Sequence, residues 1–276
     1  MVAVDQHYGR ADLSASILAA LQASGKNIDA LIRNDLNNFD EFHFGSIVET
    51  RHLAQAADLS AGMHVAGMRV LDIGSGLGGP ARTLAAEFGC TITGLDLTEE
   101  FVHSARELTL RTGLAGQVDF QQGDALDMPF PDSSFDVIWM QFAGMNIEDK
   151  SRLYQQFRRV LKDGGRFALH EVMAGSVSKL HYPVFWANDA SLSFLRPPQE
   201  IRALLHAQGF GEVVWEDRTE QSLAWLVAER SQNRPPDPIN PTLYIDNLQG
   251  KAANVIRNLE EKRMVVVLAV FELTKA

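Results

Sequence analysis

The stretch that most constrains this chain is Val70-Leu71-Asp72-Ile73-Gly74-Ser75-Gly76-Leu77-Gly78-Gly79-Pro80-Ala81-Arg82. Arg69 to Asp72 is short, apolar and β-branched, which suits a buried strand. Four glycines then fall within six residues. Pro80 opens an apolar-periodic run to Phe88 that reads as a helix with proline in its first turn. Strand, glycine turn and helix follow one another, so a ligand can lie against bare backbone beside the unpaired N–H groups of a helix start. The pattern Gly74-x-Gly76-x-x-Gly79 also fits a dinucleotide fingerprint. Alone it equally describes a turn that only packs a strand on a helix.

The segments around this turn set the architecture. Leu13, Ile17, Leu18 and Leu21 share one helical face, Ile28, Leu31, Ile32 and Leu36 share another, and Ile47 to Leu59 reads as a third helix. Residues 1–65 are therefore expected to form a helical cap, with the aromatic run Phe39 to Gly45 irregular. From residue 66 strands and helices alternate, the mark of a parallel sheet covered on both faces. Strands are expected at Arg69–Asp72, Thr91–Asp96, Val118–Gln121, Phe135–Met140, Arg166–Val172, Gly211–Trp215 and Val265–Phe271. Thr98 is placed to cap the helix after the second strand, and Gly164-Gly165 to stop the helix Ser151–Leu161. Residues 217–262, with Pro235-Pro236-x-Pro238, are too many for a plain connection and read as a helical insertion before the last strand.

Composition removes several classes. A net charge of −10 disfavours nucleic acid as partner. The clustered Arg158, Arg159 and Lys162 fit a solvated helix face. No apolar run is long enough to span a membrane. Asp5 and Asp12 stand where a secretion signal would need an apolar core. Cys90, the single cysteine, excludes an internal disulfide and reads as a small buried hydrophobe. A cytoplasmic enzyme is expected, with no metal site and with a homo-oligomer left open.

Asp72, two residues before the first glycine, sharpens the reading. Val70 to Gly78 resembles motif I of the class I S-adenosylmethionine-dependent methyltransferases. Gly123-Asp124-Ala125, followed by Met128-Pro129-Phe130-Pro131-Asp132-x-x-Phe135-Asp136, and Arg159-Val160-Leu161-Lys162-Asp163-Gly164-Gly165-Arg166 resemble the later motifs, so the resemblance spans residues 68–172. It implies a doubly wound, mostly parallel α/β sheet of seven strands with the last antiparallel, and S-adenosylmethionine as cofactor. On that basis Asp72, Gly74, Ser75 and Gly76 would cradle the cofactor. Asp96 and Leu97, at the end of the second strand, would meet the ribose hydroxyls. Gly123, Asp124 and Ala125 would meet the adenine, and Gln141 the methionine part. The bland readings are a helix-start acid for Asp96, an ordinary turn for Gly123-Asp124 and a turn-stabilising amide for Gln141.

The acceptor is read from weaker signals. Phe42-His43-Phe44-Gly45, the loop Gly76 to Arg82 and the helical insertion are similar to the sarcosine/dimethylglycine N-methyltransferases and neighbouring small-molecule enzymes. Many of that group carry a histidine just after the fourth strand, where this chain has Asn146. Asn146 orients but takes no proton at neutral pH, and otherwise caps the next helix. This favours an amine acceptor, which needs no base, over an oxygen or carbon acceptor, unless His43, His170 or Glu171 supplies one. Phe42, Phe44, Tyr182, Phe185 and Trp186 are read as an aromatic substrate wall, or as cap residues packing on the sheet. A nicotinamide-dependent oxidoreductase and a non-catalytic cofactor-binding scaffold are the readings from other classes.

Overall fold

The computed structural model describes residues 8–10, 12–37, 39–59, 67–231 and 237–274. One seven-stranded sheet, in the order β3-β2-β1-β4-β5-β7-β6, organises them. The strands are β1 Arg69–Ile73, β2 Thr91–Asp96, β3 Val118–Gln122, β4 Phe135–Gln141, β5 Leu161–Ala174, β6 Phe210–Asp217 and β7 Met264–Leu273. β1 to β5 run parallel to one another, and β7 runs antiparallel to both β5 and β6. This is the doubly wound sheet with an antiparallel last strand that the sequence led us to expect. The strand order reverses between β1 and β4, which opens a crevice at their carboxyl ends.

Alternation in the short central strand explains the two covered faces. Val70 packs with Leu53 of α2 (Ser46–Ala56) and Leu84 of α3 (Gly79–Phe88), while Leu71 and Ile73 pack with Leu153 and Phe157 of α5 (Lys150–Val160) and Leu205 of α6 (Pro198–Ala207). Helix α3 begins on Gly79-Pro80 and ends on Gly89, whose φ of 72° needs no side chain. On α1 (Leu13–Ala23) the buried Leu13, Ile17 and Leu21 meet Phe101 and Leu108 of α4 (Glu99–Arg111). Each such side chain is worth about 1.5–3 kcal/mol when fully buried, and together they hold the N-terminal helix over one end of the crevice. Between β6 and β7 lie α7 (Thr219–Ser231) and α8 (Leu248–Glu260). Pro235 and Pro236 fall outside the described residues, as do Asp5 and residues 60–66.

Four local expectations are corrected. The helix expected from Ile28 to Leu36 is a single 3-10 turn, Arg33–Asp35, because Asp35 accepts the Ile32 N–H at 3.0 Å and competes with helical bonding. Ile32 is solvent-exposed there, while Leu31 and Leu36 are buried. Thr98 holds the N-cap position of α4 without a side-chain capping bond, and its own N–H donates to Asp96 Oδ1 at 2.9 Å. Gly164-Gly165 does not separate helix from strand. Strand β5 already begins at Leu161, and the glycines sit in an irregularity where Leu161 pairs Phe135 and Arg166 pairs Val137. Finally β5 continues to Ala174, two residues past the expected end at Val172, so Glu171 lies deeper inside the strand.

Candidate active site

A cavity of about 410 Å³ occupies the crevice beyond β1, β2, β3 and β4. The glycine loop forms its floor. Gly76 has a φ of +51°, and a Cβ built on it meets no protein atom within 4 Å, because the space beyond it belongs to the cavity. Gly79 is needed for a different reason: a Cβ there would stand 2.2 Å from the carbonyl oxygen of Asp40. The segment that carries Phe42 and His43 thus rests directly on the loop.

Asp96 is tied to this loop. Its Oδ2 accepts the Gly76 N–H at 2.8 Å and its Oδ1 the Thr98 N–H. Burial pushes its pKa up, and the N–H groups of Thr98 and Gly76 oppose that shift. The helix-start role and the position at the cavity wall therefore belong to the same carboxylate. Asp72 is 2% exposed and its Oδ2 has no hydrogen-bond partner. Burial raises its pKa well above the carboxylate range, and the charges of Glu41 and Asp96 add to this. Ser75 Oγ is also buried and unpartnered. Leaving such groups unsatisfied costs about 1–3 kcal/mol each. A polar ligand with a cationic group near Asp72 relieves both, as the amino-acid end of S-adenosylmethionine would. Leu97, Gly123, Asp124 and Ala125 line the same cavity, and Asp124 Oδ1 accepts the Leu126 N–H at 2.8 Å, which fixes the turn. Gln141 also lines it, with Oε1 accepting from Trp139 Nε1 at 2.8 Å and Thr50 Oγ1 at 3.1 Å. The donor set and the open space above Gly76 fit the cofactor.

The other expected residues divide. Phe42, His43 and Asn146 line the cavity. Asn146 is not capping a helix: its Nδ2 donates to the carbonyls of Trp186 and Leu192 at 2.8 Å each, and its Oδ1 accepts from Tyr8 Oη at 3.1 Å. Phe44, Tyr182 and Trp186 do not line it. Trp186 is 1% exposed, its Nε1 donates to Ser193 Oγ at 2.9 Å, and it packs with Val184, Val255 and Val266. Phe44 is buried edge-on to Phe142, with ring centroids 4.6 Å apart, and Tyr182 packs against the same cluster. Glu171 lies beneath the cavity wall, where its Oε2 accepts the Gly144 N–H at 2.6 Å. Burial pushes its pKa up to about 7 against the pull of Lys150, and burial pushes Lys150 down to about 8. Lys150 Nζ donates to the carbonyls of Gly144 and Ile147. This pair props the turn that carries Asn146. His170 is fully buried, and burial together with the neighbouring His43 holds its pKa well below the histidine range.

Several lining residues carried no signal in the sequence. Tyr8 comes from the N-terminal segment, Tyr244 and Ile245 from the insertion, and Leu192 and Phe194 from the irregular stretch after β5. No motif links them, and only the fold brings them together. Equally hidden was a buried charge cluster at the wall, centred on Asp40. Asp40 sits between Arg82 Nη2 at 2.6 Å and Arg33 Nη1 at 3.2 Å. Arg82 Nη2 also donates to the Leu77 carbonyl, and Arg33 Nη2 to that of Gly79. The insertion and the cap thus supply wall, and the arginines fasten the cap to the glycine loop.

Replacing Asp96 by alanine is expected to weaken binding of S-adenosylhomocysteine. Hydrogen bonds to a charged group are worth about 1.5–3 kcal/mol, roughly ten- to a hundredfold in affinity. Calorimetry on the folded variant checks this, and unchanged affinity removes Asp96 from the site.

Comparison with known proteins agrees with this geometry. Residues 71–169 match the family described as a methyltransferase domain. A sterol 24-C-methyltransferase of Gibberella zeae is 42% identical over 105 residues, 38% of this chain and 28% of that protein. A sarcosine/dimethylglycine N-methyltransferase of Halorhodospira halochloris is 30% identical over 154 residues, 55% of this chain and 54% of that protein. The chain spans about a quarter to just over half the length of the curated relatives it matches. Among solved structures, phosphoethanolamine N-methyltransferase 2 of Haemonchus contortus with S-adenosyl-L-methionine superposes with a TM-score of 0.70 at 19% identity, covering 94% of this chain and 57% of that one. That likeness speaks for the fold.

Proposed function

From a chain whose residues 71–169 match a methyltransferase domain, we propose that this protein transfers the methyl group of S-adenosylmethionine to a small molecule bound in the same cavity. The observation that carries this reading is the unpartnered Asp72 Oδ2 and Ser75 Oγ beside the open space over Gly76. The sulfonium supplies an activated methyl group, and the chain supplies position and shelter from water. Asp72 faces the amino-acid end, Asp96 the ribose and Asp124 the adenine. Phe42, Phe142, Ile147 and Phe194 are mostly apolar wall for the acceptor. Asn146, pinned by three hydrogen bonds, holds its shape.

The amine preference rests on Asn146 standing where related enzymes carry a histidine, and it is conditional on no other group supplying a base; Asn146 lines the cavity, but so does His43, while Glu171 stands outside the wall. The acceptor class is taken instead from the groups the wall does contain. No helix among the described residues is long and apolar enough to cross a membrane. A cytoplasmic location belongs to this reading, supported by the lone Cys90, whose burial pushes its thiol pKa up to about 11 and keeps it unreactive. The test is calorimetry with S-adenosylhomocysteine and, separately, with NADH. Saturable binding of the first and none of the second is the expected result, and the reverse would favour the oxidoreductase.

A further inference from the structure

Glu41 and His43 form a carboxylate–imidazole pair for which cofactor binding has no use. Both are buried, at 4% and 5% exposure. His43 Nε2 lies 2.9 Å from Glu41 Oε2 and 3.0 Å from Thr50 Oγ1. Glu41 Oε1 accepts from Arg33 Nη2 and from Thr83 Oγ1, each at 2.6 Å. Burial alone would raise the pKa of Glu41, but the bond to His43 and the charge of Arg33 outweigh it and hold the carboxyl at about 2. An ionised carboxylate only accepts, so Nε2 carries the hydrogen, and in the neutral imidazole Nδ1 then keeps a lone pair. Nδ1 is buried without a hydrogen-bond partner, and His43 forms part of the cavity wall.

We propose that His43 Nδ1 removes the proton from the methyl acceptor, that Glu41 is the positioning residue that fixes its tautomer, and that the acceptor is a small, largely apolar molecule methylated on a phenolic or enolic hydroxyl. The inference rests on the methyltransferase reading above. A free amine attacks through its lone pair and needs no such pair in the wall. An ammonium would need a buried free carboxylate, and the acidic groups of the lining serve the cofactor, are clamped by arginines or are solvent-exposed. Asp72, Asp96 and Asp124 serve the cofactor side, Asp40 is clamped by Arg33 and Arg82, and Glu148 is exposed. The charges balance: the acceptor oxygen bonds the methyl carbon, the carbon–sulfur bond leaves its electron pair on sulfur as a thioether, and the hydroxyl proton passes to Nδ1. The positive charge lost by the sulfonium reappears on the imidazolium beside Glu41. A phenol, with a reference pKa of about 10, yields its proton to imidazole far more readily than a saturated alcohol. The other groups that face His43 are Phe142, with ring centroids 6.1 Å apart, and His170 at 5.6 Å from β5. Arg33 stands behind Glu41, and Asp72 on β1 feels its charge.

The test has two readouts. In the S-adenosylhomocysteine-saturated protein at pH 8, nitrogen-15 NMR should find His43 neutral with its hydrogen on Nε2, and Glu41→Gln should erase that preference. A hydrogen on Nδ1, or an imidazolium at that pH, overturns the proposal. With methyl-labelled S-adenosylmethionine, 4-propylphenol should be methylated and N-methyl-4-propylaniline should not. His43→Asn should lower kcat on the phenol at least about a hundredfold, within the range known for a general base, with the affinity for S-adenosylhomocysteine changed less than about threefold. Glu41→Gln should lose less, and its rate should recover as pH rises and the phenol ionises by itself. Methylation of the aniline alone, of neither compound, or undiminished turnover in His43→Asn overturns the proposal. Should Glu41→Gln unfold, the wild-type tautomer and the His43→Asn rate still decide. A wild-type protein that fails to bind S-adenosylhomocysteine instead removes the methyltransferase reading beneath it.

Discussion

Gly76→Val is expected to abolish S-adenosylhomocysteine binding while the sheet still folds. Two effects act at this position. A residue with a Cβ in the left-handed region costs about 1–2 kcal/mol, and a β-branched one somewhat more. This is felt as lost stability. The second effect is local: the Cβ meets no protein atom within 4 Å, so the side chain starts into the cavity where a ligand would lie on the loop. The two are separable with Gly113→Val. Gly113 follows α4 with a φ of +73°, has open space around its Cβ position and does not line the cavity. Both variants should lose a comparable amount of thermal stability. Only Gly76→Val should lose more than about a hundredfold in affinity, equivalent to about 2.7 kcal/mol. Equal affinities for the two valine variants would mean that the loop is structural and not a wall of the site.

The largest loss of stability is expected from Arg82→Leu. Arg82 is fully buried, and its Nη2 bonds Asp40 and the Leu77 carbonyl while its Nη1 bonds Thr109 Oγ1 at 3.0 Å. Leucine removes these bonds, and that of Nη1 to the Ala105 carbonyl at 3.4 Å, and leaves Asp40 with Arg33 alone. Breaking a buried pair by removing one member costs about 3–5 kcal/mol. At about 2–4 °C per kcal/mol in a chain of this size, the melting temperature should fall by roughly 6–20 °C. The double variant Asp40→Leu/Arg82→Leu should recover part of the loss, because no uncompensated carboxylate remains. Thermal unfolding of the three proteins checks this. A single-variant loss under about 1 kcal/mol would show that Asp40 is satisfied by Arg33 and that the cap is held by packing alone.

What was legible in the sequence follows from how local its causes are. β1, the glycine loop and α3 could be read because strand alternation, positive φ and a first-turn proline act within a dozen residues. The place of Asp96 at the cavity wall could be read because a strand end fixes where its side chain must be. The stretch from Ile28 to Leu36 could not. Leu31, Leu36 and Phe39 are buried at near-helical intervals, yet asparagine and aspartate side chains compete for the backbone and leave one turn. Glu171 was misplaced because β5 runs two residues further than expected, to Ala174, and its carboxylate turns under the wall to the Gly144 N–H instead of into the cavity. Trp186 gave the signal of an aromatic lining, but its indole N–H has a partner in Ser193, and a satisfied ring is free to be core. Tyr8 and Tyr244 lie 236 positions apart in the chain and share one cavity, a fact no window on the sequence contains.

The position of β7 has a consequence for synthesis. It lies between β5 and β6 and hydrogen-bonds both, although it is made after both. About 90 residues separate the end of β5 from the start of β7, so at about 5–20 residues per second a ribosome needs roughly 5–18 seconds to span that interval. For that time β5 presents an open edge and β6 has no partner in the sheet, a state prone to pairing with another chain. Nascent chains stalled before Met264 should therefore bind holdase chaperones strongly, and release should coincide with emergence of Leu273 from the exit tunnel.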